Sequence, residues 1–237
     1  MLSSHQIRIE CRKIKALLDF TYHLIYNSVM KTEEKKRSRD PEKTRSLILE
    51  AAFQEIYEHG FQGVSIDQII RKTNVTKGAF FHYFSTKSEL GYAIADEILR
   101  DMVLERWIRP LAAYKNPVQG ILKRFKTLTD AMSDEDLVRG CPLNNLTQEM
   151  SSVDPLFRER LKAVMTLWID ETERYIKKAQ ENGYLKKTAN TRQLAEFIVA
   201  TEEGSFGMVK SMADRKIYTS LYNSLRDYLL SRAETEQ

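Results

Sequence analysis

The sequence predicts an all-α protein, and three observations carry that expectation. Apolar residues recur at three- and four-residue spacing, as in Leu47, Ile48, Ala51, Ala52 and Ile56, while β-branched alternation is scarce. Only 9 Gly and 5 Pro interrupt 237 residues. Four of those prolines, Pro41, Pro117, Pro142 and Pro155, stand where a helix would begin, at the position whose missing N–H costs nothing.

The first 39 residues are expected to be a flexible extension. "RIECRKIKALLDFTYHLIYNSV" has the basic start and apolar run of a signal peptide, but Asp19 and His23 break the run. No small-residue cleavage site follows, and the stretch is too short to span a bilayer. Met30 opens "MKTEEKKRSRDPEKTR" as a natural start would. Residues 31–45 interleave Lys31, Lys35, Lys36, Arg37, Arg39, Lys43 and Arg45 with Glu33, Glu34, Asp40 and Glu42. This suits a solvated segment or a basic arm for phosphates, and both readings stay open.

Regular structure begins at Asp40-Pro41, an N-cap followed by proline, and the first helix runs to His59 and the stop at Gly60. Ser65 caps a second helix over Ile66 to Lys72, with Gln68 three residues on completing a capping box. After "TNV", Thr76 caps a short third helix from Lys77 to about Phe84, and Ser85 opens a fourth with Glu89 in its first turn. Two short helices joined by a tight turn and braced by a preceding helix make a helix-turn-helix. The exposed residues at the start of its second helix must be small, polar or basic to approach bases and phosphates. Thr76, Lys77, Gly78 and Ala79 meet that need, and Arg71, Lys72, Lys77 and Lys87 occur in 71–87 with no acid among them. Phe80 and Phe84 are four apart and should face inward, leaving His82 and Tyr83 toward the nucleic acid.

Residues 44–94, "TRSLILEAAFQEIYEHGFQGVSIDQIIRKTNVTKGAFFHYFSTKSELGYAI", resemble the DNA-binding domain of TetR-family transcriptional regulators end to end. The likeness rests on "VSIDQI", "VTKGAFFHYF" and "KSEL" together with the first-helix pattern. It implies that Ser65, Thr76, Lys77 and Gly78 lie near phosphates or bases, that Ala79, His82 and Tyr83 face the groove, and that Lys87 grips the backbone. Where many members carry tyrosine this chain has Phe81, which removes a phosphate hydrogen bond from that position. The implied architecture is a three-helix DNA-binding domain over 40–86 and a helical effector-binding and dimerisation domain over 87–237.

The rest of the chain supplies its own helix signals. Asn116-Pro117 opens a helix through Ile121, Leu122, Phe125 and Leu128, and Asp154-Pro155 opens a long one that Gly183 ends. Thr191 is expected to cap the next, with Gly204, Ser205 and Gly207 as a small-residue crossing, and Arg215 to Arg232 forms the last. The closing pair suits a four-helix dimer interface, as binding a palindromic double-stranded operator would require.

"RGCPLNNLTQEMS" places Cys141 at the cap of a helix, where free N–H groups favour a reactive thiolate. The segment resembles the "G-C-x-x-x-N-L" motif in a subset of TetR-like regulators, in some of which the cysteine responds to electrophiles or oxidants. Against this stands a plain buried cysteine at a helix start. Phe125, Met150, Met165, Trp168 and Phe206 are candidates to line a pocket for a small apolar effector.

The four histidines have no metal-ligand spacing, so neither metal nor cofactor is expected. Two cysteines, Cys11 and Cys141, form no disulfide framework, which suggests a reducing, cytoplasmic setting without membrane attachment. The net charge of +4 permits a polyanionic partner without demanding one. An enzyme with Cys141 as nucleophile lacks a nearby histidine or any phosphate loop. The expectation is a homodimeric repressor that leaves its operator on binding effector or on modification of Cys141, with activation by the same fold as the alternative.

Overall fold

The computed structural model describes residues 41–234, so the expected extension over 1–39, with Cys11 and Met30, and the Asp40 cap lie outside the described residues. Helix α1, Pro41–His59, buries Ile48, Leu49, Ala52, Phe53 and Ile56. Its stripe is rotated from the expected one: Leu47 and Ala51 sit at the edge, and Leu49 and Phe53 point inward. Gly60, at φ 78°, ends the helix, with its N–H on the Ile56 carbonyl at 2.8 Å.

Helix α2, Ile66–Thr73, opens with the capping box expected at Ser65: Oγ accepts the Gln68 N–H, and Gln68 Oε1 takes the Ser65 N–H at 2.7 Å. Asn74 closes α2 in the left-handed region, φ 52° and ψ 20°, a conformation asparagine tolerates. That residue turns the chain into α3, Lys77–Tyr83, where Thr76 Oγ1 accepts the Ala79 N–H at 3.2 Å. Helix α3 stops one residue short of the expected end. Phe84 is extended, at φ −137°, and its ring still enters the core.

The fourth helix is capped by Thr86, not Ser85. The Glu89 N–H bonds Thr86 Oγ1 at 3.0 Å while its carboxylate takes the Ser85 N–H at 2.8 Å, so Ser85 stands outside the helix. This helix, α4, begins as Lys87–Ala93 and runs on without a break. It passes through a π-helical turn at Ile94–Leu99, α-helical Arg100–Val103, a second π-helical turn at Leu104–Ile108 and a closing 3-10 turn at Arg109–Ala113.

Asn116 caps α5, Pro117–Ala131, as expected. A short helix the sequence had not suggested, α6, Asp134–Arg139, follows with a capping box between Ser133 and Asp136. Cys141 is the N-cap of α7, Pro142–Met150, and Asp154 that of α8, Pro155–Glu181. Helix α9, Thr191–Met212, is capped by Asn190 and not by Thr191. Asn190 Oδ1 accepts the Gln193 N–H at 3.0 Å, and the Thr191 hydroxyl instead meets Glu173 at 3.0 Å. Helix α10 is Lys216–Ser231. Among the described residues the β pairing is a single isolated bridge between Leu185 and Ala233.

Helices α1 to α3 close around Ile69, Phe80 and Phe84, and α8 packs along α9, which packs on α10. One apolar core continues from Ile48 in α1 to Leu229 in α10. Each fully buried Leu, Ile or Phe in it contributes about 1.5–3 kcal/mol. Among the described residues no helix is long and apolar enough to cross a membrane.

Candidate nucleic-acid interface and effector cavity

The α2–turn–α3 unit presents Ser65, Thr76, Lys77, Gly78 and His82 at the surface, with Ala79 and Tyr83 half-buried. Phe80 holds α3 from below with no exposed surface, and Phe81 leans edge-on against it while staying 42% exposed. His82 and Tyr83 form an edge-to-face pair 5.1 Å apart. The Thr76 hydroxyl accepts within the cap, so its own hydrogen is left to donate outward. Nothing in the protein lies within 4 Å of where a Gly78 side chain would begin, so no internal neighbour requires glycine there.

The charges of this face are partly engaged. Lys77 pairs with Asp67 at 3.0 Å, both exposed, and Lys72 pairs with the buried Glu55 at 3.1 Å. Lys87 is engaged within the protein. Its ammonium lies 4.6 Å from the centre of the Phe61 ring, and burial pulls its pKa down. It thus braces α4 against the α1–α2 connector.

Polar ties join this unit to the helices behind it. The Glu149 carboxylate, in α7, accepts the N–H groups of Phe61 and Gln62 at 2.8 and 2.7 Å. The Tyr57 hydroxyl donates to the Gly140 carbonyl at 2.8 Å, and Arg45 of α1 donates twice to the Glu97 carboxylate of α4 at 2.7 and 2.5 Å; among the helices behind, Tyr92 donates to Asp154 at 2.6 Å. Phe157 of α8 meets Phe61 edge-on at 4.8 Å.

A cavity of about 620 Å³ opens beside these ties, between Phe53 and Tyr57 of α1, Leu99 of α4, Cys141 at the cap of α7, and Phe206 and Lys210 of α9. Of the residues expected to line one effector pocket, Phe206 borders this cavity, as does Cys141, the separate sensor candidate. Phe125 and Trp168 line a separate small void instead. Met150 is buried in the core and Met165 half-buried against it, and neither borders either space. The five apolar candidates therefore do not converge on one space: they lie on four helices, α5, α7, α8 and α9, and only Phe125 and Trp168 share a void.

Of the two readings of Cys141, reactive thiolate or plain buried cysteine, the burial of the side chain favours the second. Burial pushes the thiol well above its ordinary value, and the Glu203 carboxyl adds to the rise. The N–H groups of Asn144 and Leu143 pull the other way, as a helix start should, but by less. Glu203 is itself buried, and burial pushes its carboxyl up to about 7, with Cys141 and Asn144 offsetting part of that rise. Neither of its oxygens meets a hydrogen-bond partner in regular geometry. Sequence reasoning missed Glu149, Tyr57, Glu203 and Lys210, since no local pattern marks a carboxylate or hydroxyl whose partners lie dozens of positions away. Among the described residues no cluster of His, Cys, Asp or Glu could hold a metal ion.

Comparison with known proteins agrees with this geometry. Residues 48–94 match the family model of bacterial regulatory proteins, tetR family, and residues 117–225 match the tetracyclin repressor-like C-terminal domain. The chain is 28% identical over 166 residues to the transcriptional regulator AcuR of Cereibacter sphaeroides, covering 67% of this chain and 72% of that protein. It is 23% identical over 192 residues to the transcriptional repressor DhaR of Mycobacterium sp. strain GP1, covering 80% and 94%. A TetR-family regulator from Cytophaga hutchinsonii superposes with a TM-score of 0.73 at 22% identity, over 85% of this chain and all of that one.

Proposed function

The chain belongs to the TetR family of DNA-binding transcriptional regulators, which are not enzymes, and from that premise we propose that it is a homodimeric repressor released by a small effector. The observation that carries the proposal is the 620 Å³ cavity, whose wall is shared by α1 of the DNA-binding unit and by α4, α7 and α9 behind it. An occupant there acts on both units at once. Its volume is in the usual range for a small-molecule site.

On DNA, Thr76, Lys77, Gly78, Ala79, His82 and Tyr83 would face the major groove and its phosphates, with Ser65 at the start of α2. Lys77 exchanges Asp67 for a phosphate at little cost, because an exposed ion pair contributes about 0–1 kcal/mol. Dimerisation is supported by an uncovered apolar face. Phe197, Met208 and Met212 of α9 and Tyr228 of α10 are exposed, with Phe197 edge-on to Tyr228 at 5.1 Å. Gly204 and Gly207 leave open space on α9, which lets a second helix approach closely.

Cys141 in the cavity wall supports a second route, in which a thiol-reactive effector is captured first and bonds to the sulfur afterwards. Capture comes first because burial keeps the free thiol protonated. A gel shift with a palindromic fragment from the protein's own promoter region tests the whole reading, repeated across salt concentrations and with candidate effectors. Steep salt dependence, a dimer on the fragment and release by a compound that Phe206→Ala no longer senses are the expected results. Binding insensitive to salt and sequence overturns it. Release by an electrophile that persists in Cys141→Ser removes the covalent route, and a promoter reporter that loses output on deletion of the gene makes the protein an activator.

A further inference from the structure

Behind the cysteine of the cavity between α1 and α7 stands an acid with no structural task. Glu203 of α9 is 8% exposed, and neither of its carboxyl oxygens has a hydrogen-bond partner in regular geometry. Its backbone is fixed, because its carbonyl accepts Asn144 Nδ2 of α7 at 2.8 Å. That bond holds the start of α7 against this turn of α9 and brings the Cys141 thiol within hydrogen-bonding reach of the Glu203 carboxyl. Cys141 borders the cavity and Glu203 does not, so the order inward from the cavity is sulfur, then carboxyl.

A cysteine kept for packing alone needs no acid beside it, and leaving a polar group buried without partners costs about 1–3 kcal/mol. A base for the thiol accounts for the pair. We propose that Glu203 is the general base for addition of the Cys141 sulfur to a small, uncharged α,β-unsaturated carbonyl compound held in the cavity. This rests on the covalent route through Cys141 and supplies what that route lacks, since a protonated thiol is a poor nucleophile. The guest is uncharged because the wall beside the sulfur carries Phe53, Leu99 and Phe206, and an anion would meet the Glu203 carboxylate.

The step balances without an oxidant or a leaving group. The sulfur bonds to the β-carbon, the π electrons move onto the carbonyl as an enolate, and the thiol proton passes to Glu203. The α-carbon then takes a proton from water, and Glu203 releases its own to regain its starting state. Burial pushes the Glu203 carboxyl up to about 7, which makes it a working base near neutral pH. Other ionisable groups face the pair: Tyr57 from α1, Tyr218 from α10 and Glu202 beside Glu203, and burial pushes all three upward. Lys210, on the cavity wall, is engaged with Asn145 Oδ1 at 2.8 Å.

The full-length protein is treated with excess N-ethylmaleimide between pH 5 and pH 8.5, and labelling of the peptide carrying Cys141 is timed by mass spectrometry, with Cys11 read separately. We expect the Cys141 rate to rise through pH 7 and then level as Glu203 becomes fully ionised. Glu203→Gln, checked by its melting curve, should lower the rate at pH 7.5 by about 10²-fold and climb tenfold per pH unit without levelling. A glutamine variant that labels as fast as the natural protein, or a natural profile with no break near pH 7, removes Glu203 as the base and leaves the covalent route standing. A Cys141 that stays unlabelled until the protein is unfolded overturns the route and the proposal together. Should the glutamine variant fail to fold, the profile of the natural protein still decides. The measurement needs no DNA, so its outcome is independent of the repressor reading.

Discussion

Gly91→Ala should destabilise the protein through one crowded point, where α4 crosses α8 beneath the α1–α2 connector. A β-carbon on Gly91 would lie 2.2 Å from Phe157 Cζ and 2.6 Å from Phe61 Cε2. Ordinary carbon contacts begin near 3.5 Å, so the Phe157 ring must withdraw by about 1.3 Å. It has nowhere to go, since Phe157 is fully buried and Phe61 nearly so, and Tyr92 stands edge-on to Phe157 at 5.0 Å. Overpacking of this kind costs about 1–3 kcal/mol, and the clash falls at the upper end because both obstructing groups are core rings. Alanine returns about 0.5–1 kcal/mol as the better helix former. The net loss is about 2 kcal/mol, which lowers the midpoint of thermal unfolding by roughly 4–8 °C in a chain of this size. Circular dichroism melts of the two proteins under identical conditions measure it. An unchanged or raised midpoint refutes the reasoning, and with it the claim that glycine is there to admit the Phe157 ring.

Glu149→Gln keeps one acceptor for the Phe61 and Gln62 N–H groups and loses the other, so it should cost about 1 kcal/mol; an unaltered melt would mean the tie is idle. Glu203, with its carboxyl pushed up to about 7, is protonated when folded but ionised when unfolded between roughly pH 4.5 and 7. The folded state therefore binds more protons in that window, and stability falls as pH rises through it. Glu203→Gln should flatten that fall by as much as about 3 kcal/mol between pH 5 and pH 8, and parallel melting-temperature profiles for the two proteins would contradict it. Lys77→Ala should weaken operator binding across sequences alike and reduce the salt slope in a gel shift by about one, whereas an unchanged slope takes Lys77 off the phosphates.

The features legible in the sequence were those fixed by neighbours along the chain. Ser65 with Gln68, Thr76, Asn116 and Asp154 all cap where expected, because a cap is chemistry between residues two or three apart. The two misplaced caps fall where adjacent residues compete: Ser85 against Thr86, and Asn190 against Thr191, each decided by a carboxylate that engages one of the pair. Phe80 faces inward as helical spacing predicts, whereas Phe84 reaches the core from an extended residue just past the helix. Cys141 shows where such reasoning stops. Its helix start does favour thiolate, but burial and Glu203, 62 positions away, outweigh that local effect. "TEEG" likewise looks like solvent-facing polarity, yet both glutamates are buried, and the adjoining small residues divide, with Ser205 inside and Gly204 and Gly207 outside.

The same contacts set the energy scale on which an effector could act. The DNA-binding unit is tied to the helices behind it by Tyr57 to Gly140, Glu149 to the Phe61 and Gln62 N–H groups, Arg45 to Glu97, and the looser Glu58–Arg139 pair at 3.6 Å. Each is half-exposed or charged and surface-near, so each contributes about 1 kcal/mol, a few kcal/mol together. Driving a two-state population from one extreme to the other takes about 5.5 kcal/mol of differential binding, and a micromolar ligand binds with about 8. A joint held mainly by buried apolar area would exceed that range, and α1 would then move only with its core. Here several weak polar ties stand beside the Phe61–Phe157 contact, so on the proposed mechanism a ligand in the cavity between α1 and α7 would have energy on the scale of those ties. Weakening the ties should therefore make release easier: Glu149→Gln should lower the effector concentration for half-release, and a rise in that concentration would place the switch elsewhere.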